Sequence, residues 1–311
     1  MFLIILGFFE SLFFLIKLKP NIILTAGSFV SVPVAVAGWI LRIPVVVHQQ
    51  DAIPGLANKI MAKFARVVTV TFEKSLKDYG RKAIWTGNPV RPSLKFQMPN
   101  NKLQMFENDL PVVLVMGGGT GAKAINELIL ESLDGLIKFS NIILITGKNK
   151  LTPLIKGAGG IKGDIKRDQG ELKGERGYKN SPPDKGDVGG LNFKTFEFLN
   201  PEELAEAYAA ATIVITRAGM GALTEISYLG KPAIIIPIPN SHQEANAEIF
   251  REKNAAIVLE QNKLTSEELE RNIKKLIEDE KLRNELSNNI KNIIKSGAEE
   301  EYLGVIGKIS Q

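Results

Sequence analysis

The most constraining feature of this chain is one complete unit of strand, glycine turn, helix and strand in its second half. The run Ala211–Thr216 is apolar and rich in β-branched residues, which predicts a buried strand. Gly219 and Gly221 open a turn, residues 222–229 predict a helix, and residues 233–238 predict the next strand. In a parallel sheet, the helix N-terminus of such a unit faces the crevice beyond the strand ends, where its free N–H groups can hold a phosphate.

A second glycine cluster follows an earlier predicted strand. Residues 111–116 predict a buried strand that runs into Gly-Gly-Gly-Thr-Gly at 117–121 and then into a helix. The dinucleotide fingerprint is absent, because no acidic residue follows at the end of a second strand. A P-loop is also excluded, because Lys123 stands at the wrong distance and no Ser or Thr follows it. Two phosphate-type turns without ATP or NAD signatures indicate a nucleotide diphosphate bound across a crevice.

The remaining pattern predicts an α/β protein of two domains with the ligand between them. Four short apolar runs predict the strands of an N-terminal sheet: residues 22–26, 44–48, 67–71 and 83–85. The strands of the second domain are expected to start at Val112, Ile142, Thr195, Ile213, Ala233 and Ala256. Helices are expected over residues 32–41 and 56–64, and residues 267–296 are expected to be helical with amphipathic spacing.

The predicted domain boundaries follow from these elements. We expect an N-terminal domain over residues 1–91, a linker over 92–109 and a nucleotide-binding domain over 110–296. Residues 156–190 are rich in glycine and mixed charges and poor in apolar residues, which predicts a disordered insertion. Residues 297–311 are expected to form a helix that crosses back to the first domain.

Composition excludes several classes of protein. The chain has 311 residues, enough for two domains, and no cysteine, which rules out disulfides and fits a reducing cytosol. A net charge of +5 suits an anionic ligand and an anionic membrane surface. No stripe of Lys and Arg interleaved with aromatic residues indicates nucleic-acid binding. No Asp-x-Asp motif or His/Cys cluster predicts a metal site.

The N-terminal residues 1–19 are strongly apolar but are split by Glu10 and Ser11. The run is too short for a clean membrane span and lacks the features of a signal peptide. Two interpretations remain open. The segment is either a helix packed within the N-terminal domain or a helix on a membrane surface, with Lys17 and Lys19 at its border.

Several blocks in order resemble the MurG family of bacterial glycosyltransferases. The blocks lie at residues 27–33, 43–51, 54–58, 86–91, 117–123 and 217–246. They cover nearly the whole chain except residues 156–190. The resemblance implies two Rossmann-like domains facing a cleft, the GT-B architecture. It also implies transfer of N-acetylglucosamine from UDP-N-acetylglucosamine to the undecaprenyl-pyrophosphoryl-muramyl-pentapeptide of peptidoglycan synthesis, at the cytoplasmic face of the cell membrane as a peripheral protein.

Three departures from the family pattern accompany this resemblance. Family members carry a Gly-Gly-Thr-Gly-Gly-His loop before the first matching block, and this chain begins after it, so we expect an incomplete first domain and slow transfer by this chain alone. Gln49 stands where the family has a carboxylate, although Asp51 supplies one nearby. Gly119 replaces the serine of the first glycine loop.

Three functional hypotheses therefore stay open. The first is the N-acetylglucosaminyltransferase itself. The second is a related UDP-sugar transferase that acts on another lipid. The third is a UDP-sugar-binding half that needs a separate partner supplying the acceptor domain, or a protein without catalytic activity. An upstream reading frame encoding the glycine-rich loop would favour the partner.

The resemblance implies an inverting transfer, in which an acceptor hydroxyl attacks the anomeric carbon and UDP leaves. Asp51 is the first candidate for the catalytic base and His48 the second. Arg91 is expected to pair with the leaving diphosphate. Glu225, on the first turns of its helix, is expected to accept both ribose hydroxyls.

Further donor contacts are expected from both glycine turns and from the helix after residue 241. His242 and Gln243 are expected to contact the sugar or the diphosphate, and backbone groups near Leu199 the uracil. The complete predicted donor set is Asp51, Arg91, Gly119, Thr120, Gly121, Leu199, Arg217, Gly219, Met220, Gly221, Ala222, Leu223, Thr224, Glu225, His242, Gln243 and Asn246. No cofactor or metal is implied.

Overall fold

The computed structural model describes residues 2–95, 106–117, 122–147 and 192–309. The predicted donor residues Gly119, Thr120 and Gly121 lie outside the described residues. So does the whole of the predicted insertion over residues 156–190. The predicted linker over 92–109 is described only at its two ends.

The first domain is a parallel sheet of four described strands in sequential order, β1-β2-β3-β4. The strands are β1 (Ile23–Thr25), β2 (Val45–Gln49), β3 (Val67–Val70) and β4 (Ala83–Trp85). The helices are α1 (Phe2–Leu18), α2 (Ser31–Ile40), α3 (Leu56–Phe64), α4 (Leu76–Tyr79) and α5 (Pro92–Lys95). All four strands lie within the predicted runs or extend them by one residue, because β-branched apolar residues suit strands buried in a parallel sheet.

The second domain holds a parallel sheet of six described strands in the order β10-β9-β8-β5-β6-β7. The strands are β5 (Val112–Met116), β6 (Asn141–Ile145), β7 (Phe193–Phe196), β8 (Ile213–Thr216), β9 (Ala233–Ile235) and β10 (Ile257–Val258). The helices are α6 (Lys123–Glu131), α7 (Leu133–Leu136), α8 (Pro201–Ala210), α9 (Met220–Leu229), α10 (His242–Glu252), α11 (Ser266–Glu278), α12 (Glu280–Ile290) and α13 (Ala298–Ile309).

Both faces of this second sheet are buried. Along β5, Val113 and Val115 pack into one apolar cluster, whereas Leu114 and Met116 pack into the cluster on the opposite face. Alternation of side chains along a strand sends neighbours to opposite faces, and helices cover each face in turn. The result is the predicted α/β domain with a parallel sheet between two helical layers.

The order of the strands reverses between β5 and β8. From β5 the chain moves outward to β6 and β7, and then returns to place β8 on the other side of β5. Met116 at the end of β5 pairs in register with Thr216 at the end of β8. Because ligands of open α/β sheets bind at such a reversal, the turns that follow these two strands mark the site.

The region predicted to be helical over residues 267–296 contains two helices, α11 and α12, and the helical structure ends at Ile290 rather than at residue 296. Asp279 separates α11 from α12 and accepts a hydrogen bond from the Leu282 backbone N–H at 2.9 Å. This side chain caps the N-terminus of α12. The apolar periodicity continues through the break, and for this reason the sequence pattern conceals it.

The helix α1 packs against α2, and Leu15 is buried between them. Much of its apolar surface nevertheless stays exposed, including Phe9, Phe13 and Leu18. Among the residues that the structure describes, no helix combines the length and the apolar character needed to cross a membrane.

Candidate functional site

The N-terminus of α9 opens towards the crevice at the strand reversal. Gly219 precedes the helix in extended conformation, and no side chain caps the free N–H groups of the first turn. Space is open around Gly221, since an added Cβ atom would meet no atom within 4 Å. Uncapped N–H groups facing open space form an anion site, because the helix dipole adds partial positive charge there.

Glu225 lies two turns or less into the same helix and is buried. The Tyr208 hydroxyl donates to its Oε2 at 2.9 Å, and the Nε of Arg91 lies 2.6 Å from its Oε1. Burial raises the pKa of Glu225, while Arg91 and the Tyr208 hydrogen bond lower it. The carboxylate is therefore held between one fixed hydroxyl donor and one movable cation.

Arg91 reaches Glu225 from the first domain, and its side chain is 48% exposed. It follows the loop after β4, which faces the second domain. In this arrangement the guanidinium is bound to the carboxylate that is predicted to bind ribose, rather than standing free for a diphosphate. A half-exposed arginine can exchange such a partner, because little packing holds its guanidinium in place.

Asp51 faces α10 across the cleft between the domains. The side-chain amide of Asn246 donates to Asp51 Oδ1 at 2.9 Å and to the Ala218 carbonyl at 3.2 Å. The Oδ1 of Asn246 accepts from the Ala52 backbone N–H at 2.8 Å. His242 Nε2 lies 3.9 Å from Asp51 Oδ1, and both side chains are partly exposed. Asp51 and His242 thus border the open cleft, whereas Asn246 is buried and its polar atoms are occupied by the domain contact.

A polar chain joins His48 to both domains. His48 Nε2 lies 3.1 Å from Asn88 Oδ1, and the Asn88 amide donates to the Thr224 hydroxyl of α9 at 2.7 Å. His48 Nδ1 lies 3.0 Å from the Thr69 hydroxyl, which is 2.8 Å from the Tyr302 hydroxyl of α13. The chain of hydrogen bonds therefore runs from α13 through the first sheet to the donor-side helix.

The proton on His48 follows from these partners. The Thr224 hydroxyl donates to the Met220 carbonyl, so it accepts from the Asn88 amide and leaves Asn88 Oδ1 facing the imidazole as an acceptor. Nε2 then donates to Asn88 Oδ1, while the Thr69 hydroxyl beside Nδ1 donates to the Tyr302 hydroxyl. Burial lowers the pKa of His48 to about 4. Both ring nitrogens are occupied in a buried, neutral ring, which favours a bridging role over proton abstraction from a substrate.

Both the nitrogen and the oxygen of the Gln49 side-chain amide have hydrogen-bond partners. Its Nε2 donates to the Asp51 carbonyl at 2.7 Å, and its Oε1 accepts from Asn58 at 2.7 Å and from the Tyr79 hydroxyl at 2.8 Å. Donor and acceptor are both required here. The amide at this position holds the turn that presents Asp51.

Several other predicted donor residues are buried and support the site. Arg217 is buried and donates to the Ile236 carbonyl and to Gln261, so it fixes the loop that precedes α10. Gln243 accepts from the Ile238 backbone N–H at 3.2 Å in the same loop. Leu223, Met220 and Leu199 are buried in the apolar core, so that their side chains support the site from below.

Two contributors to the site were not predicted. Tyr208 on α8 positions Glu225. The sequence around Tyr208 does not indicate this role, because it is typical of the apolar face of an alanine-rich helix. Asn88 joins the domains and lies inside the resembling block at residues 86–91, which was a usable signal. Within the described ranges, no group of three or more His, Cys, Asp or Glu side chains is placed to hold a metal ion.

Two family profiles match the two domains. Residues 112–300 match the glycosyltransferase family 28 C-terminal domain, and residues 1–70 match the glycosyltransferase family 28 N-terminal domain. The C-terminal match contains both glycine turns, Glu225 and α10. The N-terminal match contains His48, Gln49 and Asp51.

Relatives and solved structures agree with these matches. The UDP-N-acetylglucosamine–N-acetylmuramyl-(pentapeptide) pyrophosphoryl-undecaprenol N-acetylglucosamine transferase 2 of Bacillus cereus is 34% identical over 282 residues, which are 88% of this chain and 71% of the relative. The crystal structure of Acinetobacter baumannii MurG superposes with a TM-score of 0.73 at 24% identity, over 99% of this chain and 80% of that one. A Staphylococcus aureus MnaA–UDP structure shares the fold at a TM-score of 0.70 and 12% identity, over 98% and 80% of the two chains. The chain belongs to glycosyltransferase family 28 and, within it, to the MurG-type N-acetylglucosaminyltransferases.

Proposed function

We propose that this protein transfers N-acetylglucosamine from UDP-N-acetylglucosamine to undecaprenyl-pyrophosphoryl-muramyl-pentapeptide, with Asp51 as the base. One observation carries the proposal: the uncapped N-terminus of α9 lies beside Asp51 of the other domain, since the Asn246 amide donates both to Asp51 Oδ1 and to the carbonyl of Ala218, just before α9. The N-terminus of α9 suits a nucleotide diphosphate, and the Asp51 carboxylate suits an acceptor hydroxyl that is to be deprotonated.

The donor half of the cleft suits a uridine diphosphate sugar. The N–H groups at the start of α9 would bind the phosphates. Glu225 would accept the ribose hydroxyls, because it is a buried carboxylate whose Oε1 is bound only by the movable Arg91. His242 is exposed at the start of α10, within reach of the sugar.

The reaction would be a single displacement. The acceptor hydroxyl oxygen forms a bond to the anomeric carbon while the bond from that carbon to the UDP oxygen breaks. The hydroxyl proton passes to Asp51, and the bonding pair leaves with UDP. Attack from the face opposite to UDP inverts the configuration at the anomeric carbon.

Arg91 would act on the leaving group. When ribose hydroxyls occupy Glu225, the guanidinium loses its partner and becomes available to the developing charge on UDP. A cation placed beside a leaving diphosphate lowers the barrier, because the negative charge grows in the transition state. Donor binding and leaving-group stabilisation would thereby be coupled through one side chain.

Asp51 suits the base better than His48 on geometry. Its side chain is 35% exposed, and within the described residues Asn246 is its one side-chain hydrogen-bond donor. His48 is buried, and its two ring nitrogens lie against Thr69 and Asn88. His242 Nε2 lies 3.9 Å from Asp51 Oδ1, beyond hydrogen-bond distance.

The test is transfer of labelled N-acetylglucosamine to the lipid-linked acceptor by the full chain. Asp51→Asn should lower kcat by about 10²–10⁴, the usual contribution of a general base, while UDP affinity stays unchanged. Asp134→Asn, at an exposed site far from the cleft, is the matched control. Absence of transfer by the unaltered chain would contradict the proposal, and full activity of Asp51→Asn would remove Asp51 from the base role.

We further propose that α1 rests on the membrane that carries the acceptor lipid. Phe9 and Phe13 are each 63% exposed and Leu18 is 70% exposed, and Lys17 and Lys19 stand at the same end. Apolar side chains bordered by lysines suit an anionic interface. The double variant Phe9→Ser and Phe13→Ser should lose flotation with phosphatidylglycerol vesicles. Equal flotation of both proteins would refute this contact.

A further inference from the structure

A cavity of about 730 Å³ lies in the first domain beside the turn that carries Asp51. Three of its lining residues, Ala52, Ile53 and Pro54, follow Asp51 directly. Helix α3 and the segment around α4 form the other walls. The cavity is separate from the donor crevice, because α9 and α10 contribute no lining residue.

The side chains that line this cavity carry an excess of positive charge. Its lining contains five lysines and a single carboxylate, Asp78; the lysines are Lys59, Lys63, Lys74, Lys77 and Lys82. The ammonium of Lys82 donates to the Ala62 and Lys63 carbonyls at the end of α3, at 3.0 and 3.1 Å. Among the described residues, the remaining four lysines form no ion pair with a carboxylate. Four exposed lysines line one concave surface and attract anions to it.

The shape favours an extended ligand over a compact one. The lysines stand on separate elements, α3 and the segment around α4, and the lining also contains Ile53, Pro54 and Ala62. A diphosphate concentrates its charge and is best held by closely converging N–H donors. A peptide carries carboxylates on separate residues beside small apolar side chains, so it can contact lysines on different elements and the apolar part of the lining together.

The position of the cavity connects it to the acceptor. Tyr79 lines it and donates its hydroxyl to Gln49, whose amide holds the Asp51 carbonyl. Because Ala52 lines the cavity, an acceptor hydroxyl at Asp51 would lie one residue from the cavity wall. In a muramyl-pentapeptide the peptide is attached to the same sugar ring as the reacting hydroxyl, so both can be placed at once.

We propose that this lysine-lined cavity binds the carboxylates of the acceptor's pentapeptide, at least its C-terminal one. The inference rests on the proposed function, since it takes a peptide-bearing acceptor as the substrate. Binding there would select acceptors with a charged peptide and would orient the sugar ring towards Asp51. The lysines are then determinants of acceptor specificity, not catalytic residues.

The experiment uses the full chain with the double change Lys74→Gln and Lys77→Gln. Loss of two ammonium groups should raise the KM for the lipid-linked pentapeptide acceptor by about tenfold, with kcat and the donor KM unchanged. An acceptor whose peptide carboxylates are converted to amides should show the raised KM already with the unaltered chain. The double change should then add nothing further. Lys138→Gln with Lys281→Gln, at exposed sites elsewhere, is the matched control.

The outcomes separate the two proposals. Turnover with an unchanged acceptor KM in the double variant would overturn the cavity assignment and leave the transferase function standing. If the unaltered chain shows no turnover, calorimetry with a muramyl-pentapeptide that lacks diphosphate and lipid tests the cavity directly. Equal affinity in both proteins overturns the assignment. Loss of binding to phosphatidylglycerol vesicles, with both peptide readouts unchanged, would assign the lysines to the membrane instead.

Discussion

The guanidinium of Arg91 and the carboxylate of Glu225 join the two domains through a contact of 2.6 Å. The remaining oxygen of Glu225 accepts from Tyr208, which is fully buried. Tyr208 fixes the direction of the carboxylate, whereas Arg91 occupies the side that faces the cleft. A ribose would have to replace Arg91, and this exchange connects donor binding to the position of the cation.

Glu225→Gln should weaken binding of UDP by about 1–3 kcal/mol, because the buried acceptor loses its charge towards the ribose hydroxyls. Titration calorimetry of the full chain with UDP measures the change. Glu248→Gln, at an exposed pair with Arg251 on α10, should leave the affinity unchanged. Equal affinities in all three proteins would separate Glu225 from the ribose.

Gln49→Glu is expected to destabilise the fold rather than to restore a family carboxylate. The glutamine Nε2 donates to the carbonyls of Asp51 and Ile53, at 2.7 and 3.3 Å. A carboxylate would direct negative charge at these two carbonyls and lose both hydrogen bonds. We expect a loss of about 2–3 kcal/mol in the free energy of unfolding by urea.

The adjacent Gln50→Glu is the control for that substitution, because residue 50 is only half-buried. Its effect should stay within about 0.5 kcal/mol. A Gln49→Glu protein as stable as the unaltered chain would mean that the turn around Asp51 has a second arrangement, in which a carboxylate finds donors.

The strands could be predicted because each one is a short apolar run between turn residues. The second sheet's strands start within two residues of the predicted positions, as β5 does at Val112 and β7 at Phe193. The parallel sheet also follows, since strands alternate with helices along the chain. The break between α11 and α12 at Asp279 was not predicted, because the apolar residues on either side of Asp279 continue one helical pattern.

The contacts that assemble the site could not be predicted in the same way. Asn246 and Ala52 are 194 residues apart in sequence, and Asn88 and Thr224 are 136 apart. Such pairs depend on how two separately folded domains face each other, and residue type and spacing do not encode that orientation. The sequence identified Arg91 and Glu225 individually, but their mutual contact needed the structure.

Asn246→Ala should cost about 1–3 kcal/mol of unfolding free energy, because it leaves the buried N–H of Ala52 without an acceptor and removes the donor to Asp51. Urea unfolding measures the loss. Asn272→Ala is the control, since Asn272 donates only to Glu268 of its own helix. Equal stability of the two variants would show that the contact between Asn246 and the Asp51 turn adds nothing to the fold.

The buried state of His48 makes stability depend on pH in a defined window. Its pKa falls from 6.5 to about 4 because burial disfavours the imidazolium. Above pH 6.5 neither the folded nor the unfolded chain protonates this ring, so the full stability is present. Between pH 6.5 and about 4 the unfolded chain binds a proton that the folded chain does not, and the free energy of unfolding falls as the pH falls.

His48→Gln should therefore flatten the dependence of stability on pH, whatever it does to stability at pH 7. The His48 contribution between pH 7 and pH 5 is about 2 kcal/mol, and the variant should lack it. Urea unfolding at both values gives the two differences. Other titrating groups cancel in the comparison, and His242→Gln, which alters the exposed histidine, should keep the slope of the unaltered chain. An identical slope in His48→Gln would show that folding does not lower the pKa of His48, and the prediction would then be wrong.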